Sequence, residues 1–186
     1  MKIKEITSIN IERVNRTSIK FTNKTHKWCT LPYPGHKKGC PNFNKNPLCP
    51  PNTKIMENTL KNYSSFYLIL ANFDIFKYSN YLLQKHPLWS ERKARCLLYW
   101  QKSVKKLIKE YIRNIIFMNP NNKFYLFCSG AGESIPLLEQ DEIYSMEAAG
   151  IDVIHSLINN NIEIEVKPKK KVLLVNLLCS DKEVEI

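Results

Sequence analysis

The sequence predicts an α/β fold: one domain over residues 1–186, with a mostly buried sheet of about four to five strands flanked by helices. Three observations lead there. Apolar runs of strand length alternate with segments whose apolar residues recur at helical spacing. At 186 residues, with 44% hydrophobic and 11% aromatic content, the chain can fill one core but would be cramped as two full-sized domains. Residues 25–53, rich in proline and cysteine, follow neither period, which leaves residues 54–180 as the α/β core and 25–53 as a long loop.

In chain order, Ile3, Ile6, Ile9 and Ile11 alternate loosely, and "TSIKF" reads as a short strand. After the loop, "NTKIMENTLKNY" opens on Asn52 or Thr53 as a cap and places Ile55, Met56, Leu60 and Tyr63 at helical spacing. "SSFYLILANFDIF" is a compact apolar run suited to a buried central strand. Residues 90–118 predict one long helix capped by Ser90, its stripe formed by Leu97, Trp100, Val104, Leu107, Ile108, Tyr111 and Ile115. "KFYLFCSGAG" is a strand entering a glycine turn, and "LLEQDEIYSMEAAGIDVIHSLINNN" reads as a second long helix. "IEIEVKP" and "KKVLLVNLLCS" are two further strands separated by a turn at 168–170.

No run of 18 apolar residues suggests a membrane span, and the charged start "MKIKEITSINIERV" is unlike a signal peptide, so a cytoplasmic protein is expected. Thiols stay reduced there, which makes clustered cysteines metal ligands or reactive groups rather than a disulfide framework. The net charge of +11 points to a polyanion such as nucleic acid or a nucleotide. A second cause competes equally: the basic residues are mostly lysine, and asparagine and isoleucine are abundant, as in a compositionally biased chain. Three basic clusters stand out: Lys37 and Lys38 in "HKK", "ERKAR" (with Arg92 and Arg95) plus "QKSVKK", and "KPKKK" at 167–171.

The cysteines are spaced Cys29-x10-Cys40-x8-Cys49, with Cys96 in the predicted long helix and Cys128 and Cys179 inside predicted strands. Thiolates suit soft or borderline metals, and four of them satisfy tetrahedral zinc or a cubane iron–sulfur cluster. Cys29, Cys40 and Cys49 are the candidate ligands, in a loop that a metal would order in place of a core. For the fourth position Cys96, at the edge of a helical apolar stripe, competes with His36, which would make a Cys3His zinc site; His26 is weaker. Cys128 and Cys179 read as small buried hydrophobes. Spacing alone leaves zinc and iron–sulfur even.

"GCPNFNKNPLCPP" resembles the Cys-Pro-Asn-Tyr-Gly and Cys-Pro-Pro signature of the predicted metal-binding proteins grouped as domain of unknown function 2284. "SMEAAGIDVIHSLINNNIEIE" is similar to the second hallmark of that family, and the likeness runs over roughly residues 25–178. The resemblance implies a metal or iron–sulfur site and leaves the reaction open. Many relatives carry a second cysteine cluster before the second hallmark. Here "CSGAGESIPLLEQDEIY" brings Cys128 alone, so no second cluster is expected. "HPLWSERKARCLLYWQ" resembles a subgroup with an added helix cysteine, which implies Cys96 as fourth ligand and a [4Fe-4S] cluster ahead of Zn2+.

The "SGAGES" turn offers Ser129, Gly130, Gly132 and Glu133 as anion or substrate contacts, against the simpler reading of a tight strand-to-helix turn. Glu147 and Asp152 flank Gly150 and are not spaced as an acid/base pair; His86 and His155 lack a catalytic partner spacing. Trp28, Tyr33, Phe43 and Trp100 suit either base stacking or shielding of a cluster. Two functions follow. One is an iron–sulfur protein acting on a nucleotide, RNA or small anion, of lyase, desulfidase or redox type, with a redox partner in the last case. The other is a zinc-stapled nucleic-acid-binding module without catalysis.

Overall fold

The computed structural model describes residues 1–32, 36–130, 135, 138 and 140–186. Five strands, β1 (Thr7–Val14), β2 (Ser65–Asp74), β3 (Phe124–Cys128), β4 (Tyr144–Ser145) and β5 (Lys171–Ser180), form one sheet in the order β1-β2-β5-β3-β4. Every pairing is antiparallel except β3 with β4. The helices are α1 (Lys24–Trp28), α2 (Ile75–Lys85), α3 (Glu91–Ala94), α4 (Gln101–Met118) and α5 (Val153–Asn159).

The apolar run of β2 has a simple cause: both faces of this central strand are covered. Successive side chains point to opposite faces, so Tyr67, Ile69, Ala71 and Phe73 join a core with Ile75, Tyr78 and Leu82 of α2 and Val104, Ile108, Ile112 and Ile115 of α4. Phe66, Leu68 and Leu70 point the other way, into a core with Leu177 and Cys179 of β5, Phe127 of β3, and Leu60, Met146, Ala149, Ile151 and Leu157. Burying each large apolar side chain stabilises by about 1.5–3 kcal/mol relative to leaving it exposed. The predicted α/β arrangement is therefore observed, as one mixed sheet between a helical layer and a second layer built largely of turns. Among the described residues no helix is long and apolar enough to cross a membrane.

Several local expectations need correction. The first strand is Thr7–Val14, ahead of "TSIKF", where Phe21 makes only an isolated bridge to Ile151. The short helix expected after Asn52 or Thr53 begins only at Glu57, as a 3-10 helix over Glu57–Asn62. The run beginning at Ser65 stops being a strand at Asp74, whose carboxylate accepts from the Lys77 amide and caps α2. The single helix expected over 90–118 is broken: Cys96 is extended, with φ −60° and ψ 126°, and a 3-10 turn covers Leu97–Tyr99 before α4 starts. Leu97 and Leu98 are exposed, so the buried stripe begins only at Trp100, stacked on Phe73 with ring centroids 4.7 Å apart.

The second long helix is also absent in that form. Tyr144–Ser145 pairs in parallel with β3, residues 146–150 make a turn closed by the left-handed Gly150 (φ +88°), and α5 begins only after Asp152, which caps it by accepting from the His155 amide. Residues 162–166 alternate like a strand but join no ladder; Ile162 and Ile164 pack on the second core. In each case pairing or packing with a distant segment overrode the local period.

Candidate metal centre

The cysteine loop starts where α1 ends. Cys29 is the residue that closes that helix, and the chain returns so that the Cys40 amide donates to the Cys29 carbonyl at 2.7 Å. Gly39 makes this return possible. Its φ is +84°, and a Cβ there would lie 2.4 Å from the Cys29 carbonyl oxygen and under 3 Å from two Thr30 backbone atoms, at 2.8 and 2.9 Å. Only glycine tolerates both the conformation and the approach.

From Cys40 the loop winds through its own turns. The Phe43 amide donates to Cys40, Asn44 to Pro50, Cys49 to Asn46 and Asn52 to Cys49, all at 2.8–3.1 Å. The Asn46 side chain accepts from the Leu48 amide at 2.8 Å. Polar groups of the loop are thus satisfied largely within it, as expected of a segment with little apolar core of its own.

What docks the loop is the 145–150 turn. The Ala148 carbonyl accepts from His26 Nε2 at 2.9 Å and from the Thr53 hydroxyl at 3.0 Å, so it holds the chain on both sides of the cysteine segment. Around it, the Thr22 amide donates to Gly150, and the Met56 amide to Ala149, at 2.8 and 2.9 Å. The turn is itself fixed by the Ser145 hydroxyl, which accepts from the Ala148 amide, and by the Met146 amide, which donates to Cys128 at the end of β3. His26, a weak ligand candidate in the sequence, is a clamp residue.

Cys29 and Cys40 are half-buried and Cys49 is buried. Burial pushes the Cys29 thiol above its ordinary pKa, and Cys40, Cys49 and the Glu147 carboxyl push it further in that order. The Cys49 thiol is raised by burial and then by Cys40. For both thiols burial is the larger cause and the other cysteines of the loop the smaller. Among the described residues, no three His, Cys, Asp or Glu side chains stand together at separations that would hold an ion. The donor chemistry fits a soft or borderline cation, which would relieve the mutual repulsion of three thiolates; binding would have to draw the sulfurs inward.

Glu147, which the sequence did not offer as half of an acid/base pair, lies on the clamping turn next to Ala148. Protein crowds round it, and burial raises its pKa against the lowering effects of its own backbone amide, Lys105 and the Ser145 hydroxyl. Its accessible part faces a hollow of about 320 Å³ lined by Gln101, Ser129, Gly130, Val153 and Leu173 to Val175. The only prior signal was its place in the "SMEAAGIDV" block.

The other candidates fall in several places. His36, Lys37 and Lys38 are exposed and line a separate hollow of about 320 Å³ with Cys40, Phe43 and Lys45. Cys96 lies half-buried between α3 and the 3-10 turn. Arg92 is exposed, and Arg95 pairs with Glu91 at 3.7 Å. The Ser129 amide donates to Asn176 and the Gly130 amide to Cys128, so both are spent within the protein. Gly132, Glu133 and Tyr33 lie outside the described residues. Trp100 is core, stacked on Phe73, whereas Trp28 is exposed and Phe43 half-buried beside the basic hollow. Cys128 and Cys179 are fully buried in strands, as expected.

A sheet protein whose cysteine-bearing loop is hydrogen-bonded to a turn at one sheet edge is the class that fold and site define. The chain belongs to the family described as predicted metal-binding protein (DUF2284), whose model matches residues 12–179. That range takes in the loop, the clamping turn and the whole sheet except part of β1 and the last residue of β5. No curated protein and no solved structure matches the chain.

Proposed function

We propose that the chain is a thiolate metal-centre protein in which Cys29, Cys40 and Cys49 hold a [4Fe-4S] cluster. The observation that carries this reading is the bond from Cys40 to Cys29 across Gly39, which folds the loop back so that two of its cysteines adjoin along the backbone. Membership of a predicted metal-binding family supports it. A cluster held by three thiolates supplies, when bound, an iron with an open position, suited to lyase or desulfidase chemistry or to electron transfer. The substrate class that the basic surface favours is a nucleotide, RNA or small anion. Cys96 and His36 are the alternative fourth donors drawn from the sequence. His36 borders the hollow that contains Cys40, and Cys96 would have to approach from α3.

The basic hollow around Phe43 favours a second reading, in which the same thiols hold Zn2+ and the loop presents Lys37, Lys38 and Lys45 to nucleic-acid phosphates. Anaerobic purification with iron, sulfide and zinc analysis separates the two. Brown protein with iron and sulfide in matching amounts supports the cluster. Colourless protein with one zinc, together with RNA or DNA binding that weakens steeply with salt, supports the second reading. Protein free of both metals overturns both.

A further inference from the structure

We propose that the corner where α2 ends and α3 and the 3-10 turn Leu97–Tyr99 follow is a docking surface for an anionic phospholipid bilayer, touched from one side and not crossed. A stack of three rings holds the corner together. His86 and Trp89 lie with ring centroids 4.4 Å apart and planes 14° from parallel, and Trp89 and Tyr99 at 5.3 Å and 25°. The Lys93 ammonium sits over the Trp89 ring, 4.4 Å from its centroid. Backbone groups tie the same parts: the Trp89 amide donates to the His86 carbonyl at 2.9 Å, and the Tyr78 hydroxyl of α2 donates to the Tyr99 carbonyl at 3.1 Å.

On this support the leucines are left in solvent. Leu88 is 99% exposed, Leu98 80% and Leu97 48%. Leu88 adjoins Trp89 and Leu98 adjoins Tyr99, so the stacking of those two rings brings the leucines to one corner. An unbroken helix over 90–118 would have placed Leu97 in the buried stripe, and the extended Cys96 ends that stripe before it. Large apolar side chains gathered in solvent mark a contact surface.

Charge selects what covers it. Residues 85–102 carry five Lys and Arg residues against one acidic residue, Glu91, which pairs with Arg95 at 3.7 Å. A second copy of this chain would bring the same positive rim and be repelled. Nucleic acid would answer the charges but not the leucines, and the central ring, Trp89, already stacks on His86 and Tyr99 and carries Lys93. A partner protein would need an acidic cleft cut to Leu88, whereas a bilayer receives a protrusion of any shape. Anionic lipid satisfies both parts: leucines enter the acyl boundary, the Trp and Tyr rings sit at headgroup level, and the cations meet the headgroup charges. No cysteine of the loop takes part, so the inference stands apart from the metal reading.

The test is flotation of the protein with vesicles of phosphatidylcholine and phosphatidylserine in equal parts, against phosphatidylcholine alone, over a salt series. Wild type should bind the mixed vesicles about tenfold or more tightly than the neutral ones, and less as salt rises. Leu88→Ser and Leu98→Ser should each lose about tenfold or more in affinity while keeping the salt dependence, because apolar contact goes and charge stays. Both should melt as wild type, since neither side chain is buried. Arg92→Glu, also at an exposed position, should lose about fivefold or more and flatten the salt dependence. Ile158→Ser, at 56% exposure on α5 in the opposite layer, should match wild type. Wild type left unbound by the mixed vesicles, leucine variants that float as wild type does, or an equal loss in Ile158→Ser overturns the proposal. Single-stranded RNA binding that falls equally in the leucine variants, or a concentration-dependent dimer broken by Leu88→Ser, overturns it too, each naming a different occupant of the corner.

Discussion

Replacing Gly39 with alanine tests how the loop presents its thiols. The left-handed backbone at +84° costs an L-residue about 1–2 kcal/mol. The new methyl would lie 2.4 Å from the Cys29 carbonyl oxygen, a backbone atom that no rotamer change can move aside. The strands of the loop must part, and the 2.7 Å bond from the Cys40 amide to Cys29, worth about 1 kcal/mol, is lost. Together these come to about 2–3 kcal/mol, which at about 1.4 kcal/mol per decade is roughly a hundredfold in metal affinity. The sheet cores do not include Gly39, so far-ultraviolet circular dichroism should be unchanged. Chelator competition measures the affinity, and tryptic cleavage after the exposed Lys37 and Lys38 reports opening of the apo loop. Gly39→Ala with wild-type affinity and wild-type proteolysis would refute the packing argument.

Other expectations follow from the same contacts. Cys40→Ala should cost metal and loop order together. Cys179→Ala, in the sheet core, should keep the metal and cost a packing increment of about 1 kcal/mol, read by urea unfolding of the metal-free protein. Equal metal loss in both would contradict the division between ligand and core cysteines. Trp100→Ala removes the ring stacked on Phe73 and should destabilise by about 3–5 kcal/mol, whereas Leu98→Ala, at 80% exposure, should stay within about 0.5 kcal/mol; thermal melting of the pair decides it. Burial, then Tyr144, Tyr63 and Cys179, pushes the Tyr125 phenol up to about 12. The unfolded phenol ionises near 10, so folding stability should fall as pH rises from about 10 to about 12. Tyr125→Phe should flatten that decline, and an unchanged alkaline limb would remove Tyr125 as its cause.

How far the molecule was legible in its sequence depended on whether local pattern and tertiary environment agreed. β2 and β5 were readable because a strand covered on both faces is largely apolar, as most of "SFYLILANFD" and "KVLLVNLLCS" is. α4 was readable from Trp100 onward because one face meets the sheet. Upstream, Leu97 fits the helical period but is exposed, and that coincidence merged α3 and the 3-10 turn with α4 into one helix. The "SMEAAGIDV" block misled more instructively. Its composition favours a helix, yet Ser145 is drawn into pairing with β3 and Gly150 takes a left-handed turn against Ile55.

The sequence by itself determined the α/β class, the buried central strands and the concentration of thiols in one proline-rich loop. Those features depend on residue type and short-range period. Only the tertiary structure decided that the loop closes on Cys29 through Gly39 and that Ala148 clamps both its flanks. These rest on hydrogen bonds and close approaches between segments up to about 120 residues apart in sequence, such as the one from His26 to Ala148. No local period records which distant backbone carbonyl a side chain will meet, because that is settled when the whole sheet assembles.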